Sequence, residues 1–186
     1  MKNRLKNLYK YLIENRKHEF KSWHDAYSEF YGQVRQIRER IKAGESLSQS
    51  DSDVAFLQQL LYEKNNGIAS RGQSTLSESD FNKVIHDHDF IKYLEKLIIE
   101  PNAENYINFS KIWPQKVTQN NPVLVNRVAA ACTLEVSTTV DSGKFNQVFS
   151  WLIHEGIIPA YPAEEDQDWY SKNIFLLKII KDEFSD

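Results

Sequence analysis

Residues 3–42 contain no proline and a single glycine, Gly32, so the backbone offers little to interrupt a helix there. Two apolar stripes follow one another in this stretch. Leu5, Leu8, Tyr9, Leu12 and Ile13 recur at helical spacing. Phe20, Trp23, Tyr27, Phe30, Val34, Ile37 and Ile41 then alternate steps of three and four, an a/d seam of three heptads. The stripes do not share a register, which predicts a kink within residues 15–19. The seam is rich in bulky aromatics. That suits packing against a globular body, or a contact with a second chain, better than a narrow two-stranded coil. The seven seam residues are therefore the candidate protein interface, with homodimerisation one use of it.

The same stretch organises the charge. Residues 1–43 hold eleven Lys/Arg against five Asp/Glu, and the remainder holds twelve against twenty-one, so a net +6 arm precedes a net −9 body. A basic arm can track phosphates by releasing counterions. It can equally be a solvated helix face, or dock on the acidic body. Arg35, Arg38, Arg40 and Lys42 lie off the seam and are candidate nucleic-acid contacts. Their alternative role is to complement the helix dipole at its C-terminus.

Beyond the arm, 43–53 (AGESLSQSDSD) reads as a polar joint, which divides the chain into an arm at 1–43 and a body at 52–186 unless both form one domain. A helix from about Ser52 carries Val54, Phe56, Leu57, Leu60 and Leu61 and stops near Gly67. Ser77 with Asp80 resembles a capping box. Short helices follow through Phe81, Val84 and Ile85 and through Phe90, Ile91, Leu94, Leu97 and Ile98, the latter ended by Pro101. Asn102 caps a helix that Pro114 closes. Asn121 and Pro122 start another, whose Ala129, Ala130 and Ala131 permit close approach by a neighbour. Asp141 caps a helix ending at Gly156, and a last helix begins after an acidic flank at 163–168. The sum is a mostly α, multi-helix bundle of about eight helices with a long N-terminal amphipathic arm. At 41% hydrophobic and 12% aromatic residues it has the material for a sizeable core.

The composition argues against several function classes. No apolar run reaches the roughly 18 residues of a membrane span, and no apolar segment with a cleavage site follows the basic N-terminus, so the expected compartment is the cytoplasm. One cysteine cannot make an intramolecular disulfide. Cys132 sits in an Ala-rich helix and reads as a small buried hydrophobe. His86 and His88, two apart, point to opposite sides of a helix, so a metal-dependent hydrolase built on them is a remote alternative. Ser142-Gly143-Lys144 lacks the glycine and the hydroxyl residue that a phosphate-binding loop needs around it. No catalytic residue, metal ligand or cofactor is assigned. The loop at 67–72 brings Gly67 and Gly72 around Arg71, a small backbone nest suited to an anion or an ordinary inter-helix connection. Arg127 is the one basic residue of the 121–152 hairpin singled out as a candidate contact.

Two segments, NNGIASRGQSTLSESDF (65–81) and NPVLVNRVAAACTLEVSTTVDSGKFNQVFSWL (121–152), resemble an N-terminal region found ahead of the motor in McrB-type AAA+ GTPase restriction subunits. The resemblance implies a target-recognition module that acts on DNA beside an AAA+ motor or an endonuclease subunit. It carries over no nucleotide site, because no Walker A, Walker B or GTPase signature is present in this sequence. Two expectations follow. The first is a non-catalytic DNA-recognition or targeting module of a restriction or phage-defence system, with Arg35, Arg38, Arg40, Lys42, Arg71 and Arg127 as contacts. The second is a helical protein-interaction or dimerisation domain using the aromatic seam.

Overall fold

The structure, a computed structural model, describes residues 4–47, 50–62, 68, 75–162 and 168–185, with the backbone alone at 17–20, 22 and 23. Among the described residues there are eight helices and no strand: α1 Arg4–Lys42, α2 Asp51–Leu61, α3 Glu78–Val84, α4 His88–Ile99, α5 Ala103–Lys116, α6 Pro122–Cys132, α7 Ser142–His154 and α8 Trp169–Phe184. α1 breaks at Arg16 (φ −131°, ψ 16°), inside the window where the two apolar stripes change register.

The helix starts follow from local chemistry. Each of α2 to α8 begins behind a Ser, Asp or Asn whose side chain accepts a first-turn amide: Ser50, Ser77, Asp87, Asn102, Asn121, Asp141 and Asp168. Each such cap contributes about 0.5–2 kcal/mol. α7 ends in a Schellman turn. Gly156 sits at φ +61°, its amide reaches the Ile153 carbonyl, and the Ile157 amide reaches that of Leu152. Gly44 (φ +95°) ends α1 in the same way, with the Glu45 amide on the Arg40 carbonyl.

α6 is the hub. Every residue from Leu124 to Cys132 is buried, and α1, α2, α4, α5 and α8 all pack on it. A helix enclosed on all sides needs small residues where neighbours come closest, and Ala129, Ala130 and Ala131 supply them. Asn126 is bonded internally. Its amide donates to the Val140 carbonyl (2.8 Å) and to Ser142 Oγ (2.9 Å), and its oxygen accepts from Tyr106 Oη (2.7 Å). This amide fixes the turn between α6 and α7. Trp169 Nε1 donates to the Thr139 carbonyl, and Asn173 Oδ1 accepts the Ser137 amide from the same turn.

Two local expectations change, and the start of α2 is placed. Pro114 does not close α5, which runs on to Lys116. Proline lacks an amide and crowds the carbonyl four residues back, yet one more turn continues past it, with the Val117 amide on the Trp113 carbonyl. The polar joint is tied down where it is described: Leu47 is buried, and Glu95 Oε1 accepts from the Leu47 amide (2.6 Å) and Ser46 Oγ (2.7 Å). α2 starts at Asp51 behind Ser50, and Asp53 at its third position is buried.

Candidate nucleic-acid interface

The basic residues at the end of α1 are engaged by the protein itself. Arg38 Nε donates to the Ile98 carbonyl (2.6 Å) and its Nη2 to the Cys132 carbonyl. One guanidinium thereby serves the C-terminal ends of both α4 and α6, where unpaired carbonyls and the helix dipole favour a cation. Tyr27 Oη reaches the Ala130 and Thr133 carbonyls (3.0 and 3.1 Å) at the same end of α6. Arg40 bonds Glu45 (2.7 Å) and the fully buried Asp53 (2.8 Å). The Asp53 bond, followed by that of Glu45, holds the Arg40 pKa above its ordinary value.

Of the remaining candidates, Arg35 is exposed on the outer side of α1, and Lys42 is exposed beside Glu39 (3.3 Å). Arg127 has 0% exposure and donates to the Gln59 carbonyl (3.3 Å), so a phosphate backbone cannot reach it in this conformation. Arg71 lies outside the described residues. The five described candidates therefore do not form one patch. The described side chains of the seam likewise face inward. Phe30, Val34 and Ile37 are buried, Tyr27 and Ile41 are partly buried against the core, and Phe30 stacks on Phe56 at 6.0 Å. These five residues are core of this chain rather than a free dimer face. The side chains of Phe20 and Trp23 lie outside the described residues.

Besides Arg35 and Lys42, the first part of α1 is basic and solvent-facing. Residues 4–16 carry Arg4, Lys6, Lys10 and Arg16 against Glu14. Asn7, Lys10, Tyr11 and Glu14, spaced by threes and fours, form an outer stripe in which Lys10 is 74% and Tyr11 63% exposed. The inner side rests lightly on the ends of two helices. Arg4 bonds the Glu155 carbonyl after α7, Tyr9 meets Phe184 of α8 edge-on at 5.2 Å, and Lys6 lies over the Phe184 ring at 5.9 Å. The charge split was visible in the sequence. Which of the cations the fold takes up was not, because the carbonyls that Arg38 serves lie 60 and 94 residues further along the chain.

Groups with chemical potential elsewhere are occupied. Asp87 caps α4 and is bonded by Lys116 (2.8 Å), which holds the Asp87 carboxyl below the ordinary range and raises Lys116. Burial pushes the Asp80 carboxyl up, but hydrogen bonds led by Thr118 Oγ1 (2.6 Å) outweigh it and keep it low. Burial pushes the Cys132 thiol up to about 12, so it is a packed group and no ready nucleophile at neutral pH. His86 and His88 are exposed, and among the described residues no three His, Cys, Asp or Glu side chains group to hold a metal. No described helix is long and apolar enough to cross a membrane. Comparison with known proteins returned no matching family model, no similar curated protein and no similar solved structure.

Proposed function

We propose that the chain is a non-catalytic targeting module that engages DNA through the outer face of the first part of α1, in line with the McrB-type resemblance. The reading rests on the exposed Lys10–Tyr11 stripe within a net-positive segment, beside a later part of α1 whose Arg38 and Arg40 are taken up by the protein itself. Cations give salt-dependent phosphate contact, and an exposed tyrosine hydroxyl can donate to a phosphate oxygen of a duplex. Labelled duplex titrated at two salt concentrations tests it. Binding should weaken as salt rises, and Lys10→Glu should flatten the slope by about 0.9 for the phosphate no longer neutralised. Absence of binding at low salt, or a slope unchanged by that substitution, sinks the reading.

A second reading, a protein-interaction module for a motor or endonuclease subunit or for a second copy, draws on Val148 and Trp151. They lie one turn apart on α7 and are 54% and 47% exposed. Light scattering across a concentration series checks the second-copy form. Self-association abolished by Trp151→Glu favours it, and a monomer at every concentration removes it.

A further inference from the structure

We propose that a cavity between the start of α5 and α8 is a binding site for an alkylammonium group. The cavity, about 500 Å³, is lined by Tyr161, Phe175 and Ile174, with the buried Tyr170 beneath them and Glu135 at its edge. That volume suits a small organic ligand rather than a bare ion.

The walls are set in place by the fold. Tyr170 Oη bonds the Pro101 carbonyl, and its ring stacks on Tyr106 at 5.2 Å. Tyr161 and Phe175 stand perpendicular, 5.1 Å apart at 86°, and Phe149 packs edge-on against both. An aromatic ring attracts a cation through its quadrupole, most strongly when the cation is poorly hydrated, as an alkylated ammonium is, and the cavity is lined by two such rings.

Charge selects in the same direction. None of the described residues lining the cavity is cationic, and Glu135 is anionic on a body of net −9. The starts of α5 and α8 border the cavity and taken alone would favour an anion. Their first-turn amides at Asn105 and Ser171 already donate to Asn102 and Asp168. Glu135 is paired with Lys181 at 3.2 Å, and both side chains are more than half exposed. Such a surface pair is weak and salt-sensitive, so an incoming cation can take over the carboxylate. Lys181 thus acts as an internal competitor for the site.

The site stands independently of the DNA reading. Calorimetric titration with choline and with 3,3-dimethylbutanol, its uncharged isostere, tests it. Choline should bind on the order of tenfold more tightly than the isostere. Glu135→Gln should weaken choline severalfold and Lys181→Met should strengthen it. Tyr161→Phe should retain binding that Tyr161→Leu loses. A short peptide carrying one trimethyl-lysine distinguishes the source. Tighter binding than choline assigns the site to a protein side chain, weaker binding to a free small molecule, and both uphold the site. Equal affinity for choline and its isostere, choline binding indifferent to Glu135→Gln and Lys181→Met, or no heat at high millimolar choline overturns the proposal.

Discussion

The two parts of α1, before and after Arg16, begin from the same ingredients and end differently. Both are amphipathic, both are basic, and both carry aromatic residues at helical spacing. After the kink, the aromatics at Tyr27 and Phe30 pack into or against the core, and two of the arginines are bound by carbonyls or carboxylates of other elements. Before it, Tyr9 is 55% exposed, and Lys10 is 74% exposed with a solvent-screened pair to Glu14 at 3.9 Å. The difference lies in what each part meets. The later part crosses α4 and α6, whose carbonyl ends require donors, whereas the earlier part meets the tips of α7 and α8. A basic stretch is therefore not a binding surface until the cations bonded by the protein itself are subtracted.

This contrast between the two parts is open to test by substitution. The largest effect is expected at Phe30→Ala, which removes a buried ring stacked on Phe56 and should destabilise by about 3–5 kcal/mol in a urea melt. Light scattering on the folded variant should show an unchanged oligomeric state; a change would return the seam to an interface role. Next, Arg38→Met leaves carbonyls at the ends of α4 and α6 without their cationic donor and should cost about 1.5–3 kcal/mol. Arg35→Met, three residues earlier on the outer face, should stay within about 0.5 kcal/mol. Equal losses in these two variants would erase the distinction between committed and solvent-facing arginines.

A reference pair away from α1 is Lys116 with Asp87. The folded pKa of Asp87 is depressed, so its contribution is present above the unfolded value near 4 and is lost as pH falls through the folded value. Acid melts should therefore show stability falling below about pH 4, with a shallower fall in Lys116→Met. An identical acid limb in the variant would mean that the pair contributes nothing. The smallest stability change, within about 0.5 kcal/mol, is expected for Lys10→Glu. The same substitution should weaken DNA binding at low salt, so its two readouts should diverge.

Helix starts were legible because an N-cap lies within three residues of the amide it serves. Ser77, Asn102, Asn121 and Asp141 could each be read from a short window, and so could the register break that becomes the kink at Arg16. Helix ends were less legible where the donor is remote. Arg38 is 60 residues from Ile98 and 94 from Cys132, and no local pattern announces such a pairing. Arg127 was misleading for a related reason. A lone arginine in PVLVNRVAAAC reads as the marker of a solvent face, but a run apolar on nearly every side leaves no such face. The cavity between α5 and α8 drew no notice because Glu135, Tyr161 and Phe175 come from separate elements with no common spacing.

Arg38 also bears on the order in which the molecule can assemble. The carbonyl end of α6 receives a donor from a residue made 94 positions earlier, and the same side chain serves α4. Neither helix can satisfy the carbonyls of its last turn in this way until the later part of α1 has docked, so the three should open as one cooperative unit. Amide exchange at Ala130, Ala131 and Cys132 would then keep pace with exchange in the buried turn around Val34, while amides near Leu8 exchange on a separate and faster clock.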